Sequence, residues 1–460
     1  MTVARKGETM GVLLNVTDES KAPETIHFRT RIGDIHSDLT IGAAVVDAQS
    51  LKANNKIASN GCALNGAGFI LDRETADALC TGTDALGLVV KPYRNGRDLM
   101  AKPRKVFVID LFGYADSEVL QRWPAIYQHV ALNVRPDREA RAGRTPNATR
   151  YAKNWWIYQE PRTVLRSALR GLCRYIATVE TTKHRVFQFL DYTILPDHML
   201  IAVASDDAQV LGVLSSRIHV VWALASGARL GVGDDPRYSK SRCFDPFPFP
   251  ADVPEQLKAL IRTEAEGLDS LRKRVLAEHV DLTLTKLYNV LEALREGRAL
   301  TEAERDIHDR GLVTLIRQRH DAIDSLVAKA YGWPADLSDE DILARLVVLN
   351  KQRAAEEAKG LIRWLRPEYQ APEYKAPVTQ TLDFGETATA VPDNIIAWPN
   401  ALPEQVSAVQ QVLAAASAPL APQDVARAFK GKRAATVRPV LEALAGIGMA
   451  RRLEDGRYAA

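Results

Sequence analysis

Hydrophobic and polar positions repeat with different periods along the chain, and these periods predict its elements. Residues 10–16 form an apolar run typical of a buried strand, and residues 25–32 alternate as a half-buried strand does. Residues 43–52 fit a short helix or strand. Because so short a stretch builds a poor core by itself, we interpret residues 1–56 as the edge of a larger domain.

Residues 57–252 mix both periods. Strand-like runs lie at 66–71, 105–111 and 199–204. Helical periodicity lies at 117–132, interrupted by Pro124, at 161–170, and in a helix through 220–227. The proline-rich stretch 245–254 suits neither a helix interior nor a central strand, so it predicts a domain exit near residue 252.

The remainder of the chain is predominantly helical. Apolar residues recur at helical spacing through 253–366, which predicts a helical bundle or long hairpin. Residues 367–402 hold five prolines and no periodicity, as an extended linker does. Residues 403–460 predict three helices, with Pro439 kinking the third or delaying its start, and then a hairpin. This order is typical of a winged helix, so the whole chain is expected to be α+β.

Composition excludes several classes of protein. The 460 residues are 46% hydrophobic and 25% charged, as in ordinary globular proteins. No apolar run approaches the length of a membrane span, and the N-terminus lacks an apolar signal segment, so we expect a cytoplasmic protein. The four cysteines include no CxxC pair, which favours reduced core thiols over a zinc or disulfide site.

The net charge of +3 conceals a strong internal asymmetry. Residues 91–190 contain 19 Lys or Arg and 8 Asp or Glu, a local balance of +11, so the other residues sum to −8. A basic region inside a mildly acidic chain is the usual electrostatic mark of a polyanionic partner.

Arginines and aromatics cluster most densely between Arg135 and Arg174. Guanidinium groups bind phosphate and guanine edges, and aromatics among them stack on bases or pack behind the surface. Arginines at 162, 166, 170 and 174 are four apart, which predicts one shared helix face. We expect DNA contacts from Arg135, Arg138, Arg141, Arg144, Lys153, Trp155, Trp156, Tyr158, Arg162, Arg166 and Arg170.

Two polar loops are further candidates for phosphate contact, although either could equally be a surface turn. They contain Lys183 and Arg185, and Arg237, Lys240 and Arg242. His184, between the first two, is more often structural in such a position. No GxSxG, HExxH or Walker sequence is present. Glu357 and Lys359 match half of a nuclease signature, but they lie in a helix, where surface pairing of Glu356 with Lys359 at helical spacing is the better explanation.

Several stretches resemble the C-terminal half of type IIG, MmeI-like DNA adenine-N6 methyltransferases. They are KPYRNGRDL (91–99), VRPDR (134–138), NWWIYQEPR (154–162), LSSRIHVVWA (214–223), RYSKSRCFDPFPFP (237–250) and AYGWP (330–334). In that family a target-recognition domain and helical segments follow the catalytic core. The resemblance therefore implies DNA recognition by residues 57–252, with residues 1–56 as the trailing edge of a methyltransferase domain.

The catalytic motifs of such enzymes are not found in this sequence. It contains no Pro-Pro pair, which the adenine-binding catalytic loop requires, and no glycine-rich loop after a strand for S-adenosylmethionine. We therefore expect this chain to have no catalytic, cofactor or metal site and to be inactive alone. Its implied partners are double-stranded DNA and a catalytic methyltransferase subunit or missing N-terminal half, which would bind S-adenosylmethionine.

Two alternatives remain open at this point. The chain could be the recognition subunit of a DNA adenine methyltransferase that is complete only in trans. It could also be a transcription regulator that acts through its winged helix, although the third helix carries only Arg438 beyond the basic turn 430–433.

Overall fold

The computed structural model describes residues 11–18, 27–33, 35, 41–230, 235–373, 397–399, 401–415, 419–446, 449–453 and 456–459. The chain divides into two compact units, Met1–Lys375 and Ala376–Ala460, each with its own hydrophobic core. Most of the predicted linker, residues 374–396, lies outside the described residues. Helices and sheets are both present, which confirms the α+β class.

The first two strands form an isolated antiparallel hairpin. They are β1 (Gly11–Asp18) and β2 (His27–Gly33), with Val12 opposite Ile32. Both of those side chains are exposed. The predicted strands are confirmed, but the expectation that the first is buried is wrong, because among the described residues no third strand or helix covers this face. Arg31 forms an ion pair with Glu340 of the helical region.

Short strands and helices alternate between residues 41 and 250, with 3-10 turns at Val45–Asp47, Lys52–Asn54 and Ala67–Phe69. Up to residue 169 they are β3 (Ala58–Asn60), β4 (Ile70–Leu71), α1 (Arg73–Cys80), β5 (Val90–Arg94), α2 (Gly96–Met100), β6 (Phe107–Ile109), α3 (Asp116–Arg122), α4 (Pro124–Asn133), α5 (Arg135–Arg141), α6 (Pro146–Lys153) and α7 (Thr163–Leu169). Then follow β7 (Arg174–Val179), β8 (Gln188–Asp191), β9 (Leu195–Pro196), β10 (Leu200–Val203), α8 (Ala208–Ser215), α9 (Arg217–Ser226), β11 (Ala228–Leu230) and β12 (Asp235–Arg237).

Two four-stranded sheets organise this region. One is antiparallel with strand order β3-β10-β7-β8, and Leu200 of β10 lies opposite Val179 of β7. The other has the order β4-β6-β5-β9, in which only β5 and β9 run parallel. A π-helical turn, Lys240–Phe244, leads into the proline-rich stretch. The predicted helices around Pro124 are confirmed as α3 and α4, with Pro124 at the first position of α4.

The third region is helical, as the sequence predicts. It comprises α10 (Glu255–Glu278), α11 (Leu284–Arg295), α12 (Glu302–Arg310), α13 (Val313–Tyr331), α14 (Asp339–Ala358) and α15 (Pro367–Gln370). Glu357, expected at the surface, is instead buried and accepts hydrogen bonds from the backbone N–H groups of Lys52 and Ala53 at 2.7 and 2.8 Å. This carboxylate fastens α14 to the start of the preceding region.

One hydrophobic core crosses the predicted boundary at residue 252. Tyr175 and Leu200 of the antiparallel sheet belong to the same buried cluster as Val275 and Ile316 of the helices. Asn350 of α14 also donates a 2.6 Å hydrogen bond to the carbonyl of Pro246. The proline-rich stretch therefore redirects the chain without ending the core.

The C-terminal unit has the predicted order of elements. They are α16 (Leu402–Ala415), α17 (Pro422–Arg427), α18 (Ala434–Gly446), β13 (Arg451–Arg452) and β14 (Tyr458–Ala459). The two strands pair antiparallel, and Leu420 bridges to Tyr458. Pro439 lies inside α18, so it does not delay the start of that helix. Gly456 has a φ of 83°, the left-handed conformation that a tight hairpin turn favours.

Candidate nucleic-acid interface

The four arginines spaced by four residues do not share a helix face. Helix α7 covers only Thr163–Leu169. Arg162 precedes it in the left-handed conformation with φ 57°, and Arg174 opens strand β7. Gly171 then takes a φ of 83° and ends the helical run. The expectation of a stripe is wrong, because spacing places residues on one face only inside an unbroken helix.

Arg166 points inward to a buried carboxylate rather than outward to solvent. Its two terminal nitrogens donate to Asp110 at 2.7 and 2.8 Å, and Lys91 Nζ lies 2.9 Å from the same carboxylate, whose side chain is 1% exposed. Burial disfavours the charged carboxylate, but the hydrogen bonds and charges of Arg166 and Lys91 outweigh it and hold the pKa of Asp110 below its usual value. Arg166 is thus a partly buried residue that neutralises a carboxylate inside the domain.

Two neighbours in the same stretch are also neutralised by acids. Arg174 forms an ion pair with Glu266 of α10 and lies 3.7 Å from the ring centre of Phe189. Arg162 forms an ion pair with Glu160 at 2.5 Å. Arg170 is exposed and has no acidic partner within the described parts of the chain, so it stays a predicted contact.

The aromatic residues Trp155, Trp156 and Tyr158 pack behind the surface. Trp155 and Tyr158 are buried in the core formed around β5 and β6, and the Tyr158 hydroxyl donates to the carbonyl of Ile109 at 2.6 Å. Trp156 is half-buried, and its Nε1 donates to the carbonyl of Tyr114 at 3.0 Å. Of the two roles expected for these rings, the structure supports packing and leaves Trp155 and Tyr158 no exposed face for a base.

The first polar loop turns inward. Lys183 pairs with Glu292 at 2.6 Å, and His184 bonds to Asn289, a structural role as expected. Arg185 is buried and donates to the carbonyls of Val179 and Pro236, so its expected phosphate contact is wrong in this conformation. Desolvation lowers the pKa of this guanidinium to about 10.

The second polar loop contains two cations that form ion pairs and one exposed arginine. Arg237 pairs with Glu180 at 2.6 Å, and Lys240 pairs with Asp245 at 2.9 Å. Arg242 is exposed, and no carboxylate is recorded beside it in the described portion of the molecule. Arg242 therefore remains the strongest candidate for phosphate contact in this loop.

The helical hairpin formed by α5 and α6, residues 135–153 (the basic hairpin), brings several exposed cations together on one short element. Residues 140–159 contain no Asp or Glu. Arg135 and Arg141 pair with Glu139 and Asp137 of their own helix. The remaining exposed cations of the hairpin have no carboxylate partner in the described structure: Arg144, Arg150 and Lys153. Five cations of the hairpin thus lie at the surface, and three of them lack an acidic partner in the described structure.

A buried arginine fixes the basic hairpin to its domain. Arg138 is 3% exposed and donates to backbone carbonyls on both sides, including those of Leu64 at 2.9 Å, Trp155 at 3.2 Å and Ile157 at 2.5 Å. Desolvation lowers its pKa to about 10, so it stays charged at neutral pH. The expectation that Arg138 contacts DNA is wrong, and its role is to hold the hairpin rigidly so that the outer cations keep their positions.

Two cavities adjoin beside the basic hairpin. One, of about 260 Å³, lies between α5, α6 and the loop at residue 65. The other is a groove of about 540 Å³ whose lining includes Lys56, Arg162 and Lys240. Gln159 lines both, and cations line each of them.

Some exposed cations escaped the sequence reasoning. Lys56, Arg97, Lys102 and Lys105 are exposed or line the groove without a recorded acidic partner in the described regions. The run 91–105 holds six Lys or Arg against one acid, a density that could have identified three of them. Cys173 is also exposed, whereas the other three cysteines are buried as expected.

Neither a metal site nor a single membrane-spanning helix is found among the described residues. No group of three His, Cys, Asp or Glu is placed to hold an ion. By length and composition only the pair α8 and α9 could together cross a membrane, and it is bent by 61°.

Residues 44–251 match the protein family described as "MmeI, target recognition domain", and they form an MmeI-like target-recognition domain. The chain is 27% identical over 160 residues to DNA methyltransferase A of Bacillus subtilis (strain 168), a match that covers 35% of this chain and 15% of that protein. It also resembles the solved type IIL restriction-modification enzyme MmeI in complex with DNA. That match has a TM-score of 0.57 and 15% identity, and it covers 76% of this chain and 42% of the other.

All sixteen predicted contact residues lie inside the matched range 44–251. The predicted domain, residues 57–252, agrees with that range at its end and begins thirteen residues later. The chain spans less than half the length of either relative.

Proposed function

We propose that this chain binds duplex DNA through its target-recognition domain and supplies sequence recognition to an adenine-specific DNA methyltransferase of a restriction-modification system. The observation that carries the proposal is the basic hairpin, which Arg138 fastens to that domain and whose surface cations Arg144, Arg150 and Lys153 lack acidic partners in the described structure. Unneutralised Arg and Lys side chains held in fixed positions release counterions when they meet phosphates. The match of residues 44–251 to the target-recognition family supports the same role.

Catalysis belongs, in this proposal, to a methyltransferase module that associates with the chain. That module would bind S-adenosylmethionine and hold the flipped adenine, while the target-recognition domain fixes the register of the duplex. The similarity to DNA methyltransferase A supports the association.

Salt-dependent binding tests the DNA proposal. The chain should bind a mixed-sequence duplex at low ionic strength, with affinity falling linearly in log–log form as salt rises. Replacing Arg141, Arg144, Arg150 and Lys153 together by Ala should reduce the slope by about 2.7, because Asp137 already neutralises Arg141, and weaken binding by roughly 500-fold at 0.1 M salt. The measurement is fluorescence anisotropy of a labelled duplex over a salt series.

A charge-matched variant controls for net charge. Arg274, Arg305, Lys351 and Lys359 are exposed helical cations outside residues 44–251 and without a recorded carboxylate partner in the described chain. Their joint replacement by Ala removes the same charge and should change the slope by less than one. Equal losses in both variants, or no binding by the unaltered chain at 50 mM salt, would overturn the proposal.

Titration calorimetry with S-adenosylmethionine tests the division of labour. The chain alone should give no binding heat and no methyl transfer to DNA. Saturable binding with adenine methylation by the purified chain would show that catalysis resides here.

A further inference from the structure

The smaller cavity beside the basic hairpin gathers side-chain amides. Asn65, Asn147 and Gln159 all line it, and Arg138 and Arg141 complete much of its polar wall. Its volume of about 260 Å³ lies below the roughly 300–1,000 Å³ of pockets that enclose a whole small molecule. The cavity is therefore too small to enclose an entire cofactor.

Hydrogen-bonding groups around this cavity lack partners. The side-chain amides of Asn65, Asn147 and Gln159 have no hydrogen bond recorded within the described parts of the chain. Arg138 is buried, and its Nε has no partner there either. Asn65 and Asn147 are exposed, so water completes their amides, whereas the buried Nε of Arg138 is the kind of unsatisfied donor that indicates a ligand or an ordered water.

The central amide, on Gln159, is held in place by its backbone. Glu160, the next residue, exchanges hydrogen bonds with Ala63, with N···O distances of 3.1 and 3.2 Å. Arg138 donates to the carbonyl of Ile157 on the other side of Gln159 and to that of Asn65 across the cavity. The Gln159 side chain thus projects from a braced segment into the junction of the two cavities, with cations on either side.

We propose that this cavity reads the edge of an adenine base and that Gln159 is a specificity-determining residue, an inference that rests on the proposed DNA binding. A glutamine amide both donates and accepts, which matches N7 and the N6 amino group of adenine in the major groove. Phosphate is the weaker fit, because Asp137 also lines the cavity and a carboxylate repels phosphate. Its ion pair with Arg141 keeps the rim near neutral.

Selection from a randomised duplex library, followed by sequencing of the bound fraction, tests the inference on the full chain. The unaltered protein should enrich a motif that contains adenine at the position read by Gln159. Gln159→Ala should lose discrimination at that single position by on the order of tenfold, and the affinity for unrelated DNA and its salt slope should stay unchanged. Gln128→Ala is the matched control, because Gln128 is exposed on α4 and does not line the cavity.

Gln159→Glu keeps the shape of the side chain and tests base recognition directly. A purely structural role for Gln159 would not change which base is preferred. A carboxylate accepts from the N4 amino group of cytosine, so the preference at the same position should change from adenine to cytosine. An unchanged motif in this variant would overturn the inference and leave the DNA-binding proposal intact. A relaxed position that was not adenine would overturn the assignment of the base. Absence of DNA binding by the unaltered chain would overturn both proposals.

Discussion

The basic hairpin and the segment from Glu160 to Arg185 are equally rich in arginine, yet they use it in opposite ways. In the hairpin, Arg144 and Arg150 stand at the surface with no carboxylate beside them in the described structure. In the second segment, Arg166 and Arg174 turn to Asp110 and Glu266. Arginine density alone therefore does not identify a nucleic-acid surface.

What separates the two regions is the supply of acids, and much of that supply is distant in sequence. Asp110 lies 56 residues before Arg166, and Glu266 lies 92 residues after Arg174. No acid lies within residues 140–159, and the three unpaired hairpin cations find no remote carboxylate either. An uncompensated cation that the fold holds in place is the better indicator of a polyanionic partner.

Asp110→Ala should give the largest effect of the variants that test this contrast. It leaves Arg166 and Lys91 partly buried without their carboxylate, and breaking such a pair costs about 3–5 kcal/mol in the free energy of unfolding. Urea denaturation followed by tryptophan fluorescence measures the loss. Asp77→Ala is the control, because its pair with Arg73 is exposed and contributes about 0.5 kcal/mol or less. Equal losses would show that the ion pairs of Asp110 stabilise the fold no more than an exposed ion pair does.

Arg138→Met should have a smaller effect that is concentrated in the hairpin. Methionine preserves much of the apolar stem but leaves the carbonyls of Asn65, Trp155 and Ile157 without this donor. We expect a loss of about 2 kcal/mol, since relief of a buried charge offsets part of the lost hydrogen bonding. Hydrogen exchange with mass spectrometry should show faster exchange in residues 135–153 than in β7. Unchanged exchange there would mean that the hairpin is rigid without its buried arginine.

The sequence predicts those parts of the fold that depend on local pattern. Helices on both sides of Pro124, the helical region and the order of the C-terminal unit all follow from periodicity and from proline and glycine positions. The sequence does not show that one hydrophobic core spans residue 252, because the packing of Tyr175 into one cluster with Val275 joins residues 100 positions apart and leaves no local signal. The prediction that the first strand is buried is wrong for a related reason: an apolar run in the sequence does not show whether another element covers it.

The residues of the candidate site also divide into those that the sequence predicts and those whose position depends on distant contacts. The basic region at 91–190 lies inside the matched range 44–251, and Arg144 and Lys153 are exposed, as a DNA contact requires. Arg138 and Arg185 resemble their neighbours in sequence, but each lies where backbone carbonyls converge and so becomes buried. Gln159 carries no charge, and only the joining of two cavities at its side chain makes it a candidate.

Removing a single hairpin cation should give the smallest effect. It is also the most direct comparison of an unpaired cation in the hairpin with a paired cation in the second segment. Arg150 contacts the neighbouring Tyr151 but no carboxylate in the described chain, so Arg150→Ala should alter the free energy of unfolding by about 0.5 kcal/mol or less. If it meets one phosphate, the salt slope should fall by about 0.9 and affinity at 0.1 M salt by roughly eightfold. Arg174→Ala removes the same charge where Glu266 already neutralises it, so its slope should stay that of the unaltered chain. Equal slope changes in the two variants would end the distinction between the regions, because a cation paired within the fold would then release as many counterions as a free one.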